Sequence, residues 1–186
     1  MKVRLLVRVT FHEQYGYALN IVDADSNFTL GDMARRKREI LMCLEADGIL
    51  HDNQTLPLPR LLTRIAVVSA QGAAGYGDFC NQLAHNDYGL YFRVRLFPAV
   101  MQGARVEETV VSALQAIADE ADCWDAVVII RGGGATGDLS DFDSYLLASC
   151  IAQFPLPVIT GIGHERDETV LDYVAHTRVK TPTAAA

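Results

Sequence analysis

Five consecutive apolar residues, Ala126–Ile130, constrain the fold of this chain more than any other segment. A strand with one face in water alternates apolar and polar side chains, whereas a strand that is covered on both faces is apolar throughout. Sheets with helices on both faces are mostly parallel and belong to α/β proteins. The run therefore predicts a central strand of an α/β domain.

The sequence alternates between strand and helix patterns from residue 64 onward. The other predicted strands cover residues 65–69, 91–97 and 157–160. The predicted helices cover residues 77–88, residues 106–120, a segment that is capped by Ser140 or Asp141 and ends at Gln153, and residues 165–175. Four successive β-α units predict a doubly wound, Rossmann-like parallel sheet of about four strands. Right-handed crossovers are expected to place helices on both of its faces.

Residues 1–50 have a different pattern. Residues 2–10 and 16–22 predict two strands, and residues 32–46 predict a helix. Two strands alone form only a marginal sheet, so this part is predicted to be an incomplete domain.

A linker is predicted between this part and the main domain. It covers residues 51–63, where Pro57 and Pro59 favour an extended backbone. Residues 64–186 then form the α/β domain, which is of ordinary size for a single domain.

The composition favours a folded, cytosolic protein. Half of the 186 residues are apolar and 21% are charged, which allows a buried core and argues against global disorder. No apolar run has the length of a membrane span, and the N-terminus has no apolar signal region. The four cysteines form no C-x-x-C pair and have no zinc-finger spacing to histidine, so buried, reduced thiols are predicted.

The charge distribution matters more than the net charge of −7, which is unusual for a nucleic-acid binder. Residues 1–64 hold nine Lys and Arg against eight Asp and Glu, whereas residues 65–186 hold seven against fifteen. A phosphate ligand of the α/β domain would therefore need local positive groups. Strong affinity for nucleic acid would have to come from other parts of a protein or from a partner.

Four loops leave the carboxyl ends of the predicted strands, where parallel α/β sheets bind ligands. The first covers residues 69–78 and contains three glycines, including Gly72; its amides could hold a phosphate, although a tight turn explains it equally well. Asp78 favours the positive start of the following helix. The second covers residues 98–103, where Gln102 could contact a base or a phosphate, or could belong to a polar turn.

The third loop follows the apolar strand directly and begins with Arg131. Three glycines come next in the sequence: Gly132, Gly133 and Gly134. An arginine at the exit of a buried strand is costly unless it meets an anion. The loop therefore favours a phosphate clamp, and the alternative is an ion pair of Arg131 with Asp138 or Asp141. Since hard cations take carboxylate oxygens, Asp138, Asp141 and Asp143 also allow a metal cluster.

The fourth loop, residues 161–167, contains Gly163, His164 and Asp167. His164 and Asp167 are three residues apart at a predicted helix start, so they can share one face. A carboxylate beside an imidazole selects its tautomer and raises its basicity, which serves acid–base catalysis.

Taken together, these segments resemble the large subunit of exodeoxyribonuclease VII. The matching residues, in the same order and at the same spacing, are Arg64–Ser69, Gly72-Ala73-Ala74, Asp78-Phe79, Gln102-Gly103, Arg131-Gly132-Gly133-Gly134, Asp138-Leu139, Phe142-Asp143, Gly161-Ile162-Gly163-His164-Glu165, Asp167, and Thr181-Pro182-Thr183-Ala184-Ala185.

The resemblance implies a function and an origin for each part of the chain. Residues 1–50 would be the end of an OB-fold nucleic-acid-binding domain with a linking helix, and residues 64–186 the catalytic domain. The family hydrolyses single-stranded DNA from its ends in both directions to short oligonucleotides, without added divalent metal. It works with a small subunit, which binds through a helical region that this chain does not contain. Exposed strands of an incomplete OB fold also favour a homodimer of the chain.

The resemblance also implies catalytic roles for Asp78, Arg131, His164 and Asp167. His164 would act as general base or acid, Asp167 would orient it, and Arg131 would stabilise charge on the phosphoryl group with the glycine amides. Asp78 would position water or a second proton, and the roles of the two aspartates could be exchanged. Two alternatives remain open at this point: a metal-dependent hydrolase that uses His164, Asp167, Asp138 and Asp141, and a nucleotide-binding module that does not hydrolyse its ligand.

Overall fold

A computed structural model describes residues 4–12, 15–25, 27–131, 139–162 and 168–186. The chain divides into two compact units, Met1–Glu39 and Ile40–Ala186. Among the described residues, no helix combines the length and the apolar character that a membrane span requires.

The first unit contains an antiparallel hairpin of β1 (Arg4–His12) and β2 (Gly16–Asp25). Both predicted strands are confirmed; β1 ends two residues and β2 three residues later than predicted. Helix α1 (Asn27–Ala46) follows and starts five residues before the predicted position. Its last turns, from Ile40 onward, belong to the second unit.

The second unit contains a parallel sheet of five strands. The strands are β3 (Arg64–Ser69), β4 (Arg93–Pro98), β5 (Ala126–Ile130), β6 (Val158–Gly161) and β7 (Thr177–Arg178). Their order is β4-β3-β5-β6-β7, and every neighbouring pair is parallel. The predicted doubly wound α/β class is confirmed. The sequence pattern missed β7, because two residues are too few to show a strand periodicity.

The connecting helices are α2 (Ala74–Ala84), α3 (Val106–Ala118), α4 (Tyr145–Ala152) and α5 (Val170–Val174). Helix α2 ends four residues before the predicted end, and the side chain of Asn86 organises the loop that follows. Its amide nitrogen donates to Leu83 O and Leu90 O, each at 2.8 Å. Backbone amides of Tyr88 and Leu90 donate to its carbonyl oxygen in return. Side-chain bonding of this kind offers the backbone an alternative to continuing the helix.

The predicted cap of α4 is wrong. Residues Leu139–Phe142 form a separate 3₁₀ turn, and α4 begins only after Ser144, whose hydroxyl accepts a hydrogen bond from Leu147 N at 3.3 Å. The predicted caps, Ser140 and Asp141, lie in the 3₁₀ turn. The turn is stabilised by its buried Phe142, which is a tertiary contact that helix-capping patterns do not reveal.

Side chains of the central strands alternate between two layers of core, as the period of two along a strand requires. On one face, Val67 and Ile130 pack against Phe79 of α2. On the other face, Val68 and Ile129 belong to the larger core. The helices contribute several residues to that core: Ile40, Leu44, Val110, Leu114, Leu147, Ile151 and Leu171. Because β5 is covered on both faces, all five of its residues are buried, as the opening run predicted.

Part of the segment that was predicted as a linker belongs to the second unit. Asn53, in the 3₁₀ turn Asn53–Thr55, is fully buried. Its amide nitrogen donates to Phe154 O at 3.1 Å and to Leu156 O at 3.0 Å. Its carbonyl oxygen accepts from Val158 N at 2.9 Å and from His176 N at 3.1 Å. One side chain therefore satisfies four backbone groups at the amino ends of β6 and β7.

At the same end of the sheet, Asp125 holds the start of β3. Its carboxylate accepts hydrogen bonds from Thr63 N at 2.9 Å, from Arg64 N at 2.8 Å and from Arg64 Nε at 2.9 Å. Burial opposes ionisation of Asp125, but the hydrogen bonds from Arg64 and Thr63 outweigh it, so its pKa is lowered. The Asp125–Arg64 pair lies at the amino ends of the strands, opposite their carboxyl ends, where it stabilises the fold.

Asp125→Asn is expected to make the free energy of unfolding depend less on pH in the acid range. Because the folded-state pKa is depressed, the stabilisation is fully present above the unfolded-state pKa of about 4 and is lost as pH falls through the lower folded value. Urea unfolding between acid and neutral pH measures this. Asp119→Asn, at the C-cap of α3, is the matched control and should keep the wild-type slope. If Asp125→Asn kept the wild-type dependence of unfolding free energy on pH, the stabilising role of the Asp125 carboxylate would be contradicted.

Candidate active site

A cavity of about 610 Å³ opens at the carboxyl ends of β3, β4 and β5. In the sheet, β4 lies on one side of β3, and β5 lies on the other side. The direction in which successive strands are added therefore reverses between β3 and β5. Ligands of doubly wound sheets bind at this switch point. The topology therefore identifies the cavity as the candidate site before any side chain is considered.

Arg131 directly follows β5 and lines this cavity. It is half-buried, and its backbone N donates to Gly161 O at 3.4 Å. Among the lining residues that the structure describes, Arg131 is the only charged one. A guanidinium that lines a cavity suits an anionic group of a ligand. The prediction that Arg131 stands at the exit of the central strand is confirmed.

Helix α2 begins at the wall of the same cavity. Its N-cap residue Ala73 and its first residue Ala74 both line the cavity. Ala73 has no side-chain oxygen that could accept a hydrogen bond from the first-turn amides, and the helix start carries partial positive charge. Two sources of positive potential, this helix start and Arg131, therefore meet at one cavity.

Gly72 precedes this helix with a φ of 75°, in the left-handed region. Open space surrounds the position where its Cβ would lie, so the backbone conformation and not a close neighbour favours glycine. The described lining of the cavity includes the flanking Gln71 and Ala73 but not Gly72. A ligand-binding role of Gly72 stays a prediction.

The second loop, after β4, forms much of the apolar wall. Ala99 and Met101 are buried, and the exposed Gln102 lies at the cavity beside them. Val100 N donates to Thr109 Oγ1 of α3 at 3.0 Å, and Gly103 N donates to Asp141 Oδ2 at 2.7 Å.

Sequence reasoning treated this loop as a polar turn and missed its apolar contribution. The missed signal is the run Ala99-Val100-Met101, which is unusually apolar for a loop.

Asp78 lies elsewhere. It is exposed on α2, one helical turn beyond Ala74, and the described lining of the cavity does not include it. Helix α2 packs on the face of the sheet opposite α3. The structure thus brings Arg131 and Gln102 together and leaves Asp78 on the neighbouring helix.

The remaining site predictions lie outside the described residues: Gly132, Gly133, Gly134, Asp138, Gly163, His164 and Asp167. The strands that lead to them are described. Ile130 of β5 is the register partner of Gly161 of β6, so the loops that begin after these strands leave the sheet side by side. A Cβ at Gly161 would lie 3.1 Å from Ile130 Cγ2, which shows how closely the two strand ends pack.

Two carboxylates considered for a metal cluster, Asp141 and Asp143, accept hydrogen bonds from backbone amides. Asp141 accepts from Gly103 N, as described above, and Asp143 Oδ1 accepts from Val170 N at 2.7 Å at the start of α5. Within the described ranges, no three His, Cys, Asp or Glu side chains gather as a metal-binding group. These bonds give Asp141 and Asp143 structural roles in the loops around the site.

Fold and site together define the class: a doubly wound α/β domain with a cavity, lined by Arg131, at its switch point. A family model described as "Exonuclease VII, large subunit" matches residues 49–186. The chain belongs to this family.

Curated relatives agree with this assignment over the whole chain. The exodeoxyribonuclease 7 large subunit of Deinococcus radiodurans is 37% identical over 188 aligned positions, which cover all of this chain and 45% of that protein. The large subunit of a Cyanothece strain is 37% identical, with 43% of its length covered, and that of Lacticaseibacillus casei is 35% identical, with 40% covered. The chain thus spans less than half the length of these relatives.

Proposed function

We propose that this chain is the catalytic part of an exodeoxyribonuclease VII large subunit, which hydrolyses phosphodiester bonds of single-stranded DNA from its ends. Both directions of attack and short oligonucleotide products are part of the proposal. The observation that carries it is Arg131 at a cavity on the switch point, in a chain that belongs to this family. An arginine in this position suits the charge of a phosphodiester in its transition state.

The proposed reaction is a hydrolysis at phosphorus. His164 takes a proton from water, the water oxygen bonds to phosphorus, and the P–O bond to the leaving nucleotide breaks. The leaving oxygen receives a proton, either from a protonated His164 or from water. Asp167 holds the imidazole in the productive tautomer, and Arg131 stabilises the phosphoryl oxygens together with the amides of residues 132–134. The side-by-side exit of the β5 and β6 loops supports this division of roles.

Asp78 is proposed to position water or a second proton from α2. Its place one turn beyond Ala74, on the helix whose start lines the cavity, supports a role near the edge of the substrate. Gly72, Gly163 and Gln102 are proposed to contact the DNA strand.

The reaction is proposed to need no divalent cation, because Arg131 and the helix start supply positive charge to the phosphate. We expect a large subunit of full family length that contains this sequence, assembled with its small subunit, to degrade single-stranded DNA in excess chelator. A magnesium-dependent nuclease in the same buffer is the control and should stop. Loss of activity in chelator, restored by added metal, would favour the alternative with His164, Asp167, Asp138 and Asp141 as ligands.

The proposed partners are single-stranded DNA and the small subunit, in the cytoplasm. Residues 65–186 carry fifteen acidic against seven basic residues, so most of the grip on DNA is assigned to other parts of the complex. We also propose that the 186-residue chain by itself forms a homodimer through strand pairing.

A further inference from the structure

The cavity beside Arg131 is larger and more apolar than a phosphate site requires. Its volume of about 610 Å³ lies in the range of pockets that enclose whole small molecules. A phosphate is compact and strongly hydrated, so it gains nothing from an apolar wall. The ligand must therefore combine an anionic group for Arg131 with an uncharged body for the rest of the cavity.

The chemistry of the wall suits a weakly polar body. Ala73, Ala74 and Ala99 contribute only methyl groups, which leave open space, and the buried Met101 adds a polarisable, adaptable surface. Two amide side chains, Gln71 and Gln102, are exposed at the cavity. Each offers donors and an acceptor, which is what the hydrogen-bonding edge of a nucleobase requires.

We infer that this cavity is a base-binding pocket, which takes the base of the nucleotide whose phosphate Arg131 contacts. The inference rests on the proposed function and adds to it: the enzyme holds a nucleotide, and not only a phosphodiester backbone. The pocket discriminates little between bases, because its wall is mostly apolar and its two amides can rotate to present either a donor or an acceptor. At each cleavage one base enters the pocket, which positions its phosphate at the catalytic groups, while the rest of the released oligonucleotide stays outside the pocket.

Binding of small ligands to the chain tests the pocket directly. We expect thymidine 5′-monophosphate to bind at least about tenfold more tightly than deoxyribose 5-phosphate, a difference of about 1.4 kcal/mol. Val100→Phe, which places a ring at a lining position of the loop after β4, should remove this difference and leave deoxyribose 5-phosphate binding unchanged. Ala84→Phe, at the exposed end of α2, is the control and should behave as wild type. Equal affinity of the wild-type chain for both ligands would overturn the inference.

Hydrolysis of abasic DNA separates this inference from the proposed function. The substrate is a single-stranded oligonucleotide in which tetrahydrofuran units replace the terminal nucleotides, and the enzyme is the complete large subunit with its small subunit. A rate at least about tenfold below that of normal DNA supports the pocket. Equal rates on both substrates leave the nuclease assignment standing and overturn the pocket. Failure to degrade normal single-stranded DNA refutes the proposed function itself.

Discussion

Replacing His164 by alanine is expected to lower the single-turnover rate constant for hydrolysis of single-stranded DNA by about 10²–10⁴-fold, the usual contribution of a general acid or base. The strand register supports this expectation, because β6 ends three residues before His164 and pairs with β5, which leads directly to Arg131. The measurement is single-turnover degradation of a labelled oligonucleotide by the complete large subunit with its small subunit.

Two controls make this result specific. His85→Ala removes an exposed histidine at the C-cap of α2 and should keep the wild-type rate. DNA affinity of the His164→Ala variant should stay close to wild type, since the imidazole is proposed to act on protons and not to grip the strand. The variant should also lose the limb of the pH–rate profile that the imidazole contributes. A His164→Ala enzyme with the wild-type rate would refute the proposed mechanism.

Replacing Asn53 by alanine is expected to lower the free energy of unfolding by about 3 kcal/mol, because four hydrogen bonds, two buried and two part-buried, are lost together. Two carbonyl groups, Phe154 O and Leu156 O, and the amides of Val158 and His176 would lose their partner. Buried backbone groups without partners are costly, and water has little access to this fully buried position. The loss should appear as a lower midpoint of urea unfolding.

Two further variants separate hydrogen bonding from volume at this position. Asn53→Asp keeps the shape but loses both donors, and its carboxylate would face two carbonyl oxygens, so it should destabilise at least as much as alanine. Asn81→Ala removes an exposed asparagine on α2 and should change stability by less than about 0.5 kcal/mol. A loss below about 1 kcal/mol for Asn53→Ala would show that the four bonds contribute little.

Some elements could be predicted because their signal is local. The apolar run of β5 indicated burial on both faces, and the structure buries all five residues. Arg131 is conspicuous in the sequence because a guanidinium at the end of such a strand is costly without an anion. The glycine at position 72 indicated a special backbone, and its φ is indeed positive.

Other features depend on contacts that are distant in sequence. Strand β7 has two residues and exists because β6 offers it a pairing edge. The start of α4 is shifted to Tyr145 because Phe142 is buried in the core. Asn53 looked like a polar linker residue, yet its partners lie more than 100 residues away.

The sequence by itself determined the α/β class and indicated which residues have chemistry that suits a phosphate, because periodicity and residue chemistry are local properties. The tertiary structure decided which of those residues meet. It placed Arg131 and Gln102 at one cavity with the start of α2, and it left Asp78 exposed one turn along that helix. The physical reason is that a cavity is made by the strand order and by the packing of separate loops, and neither is encoded in any single segment of the chain.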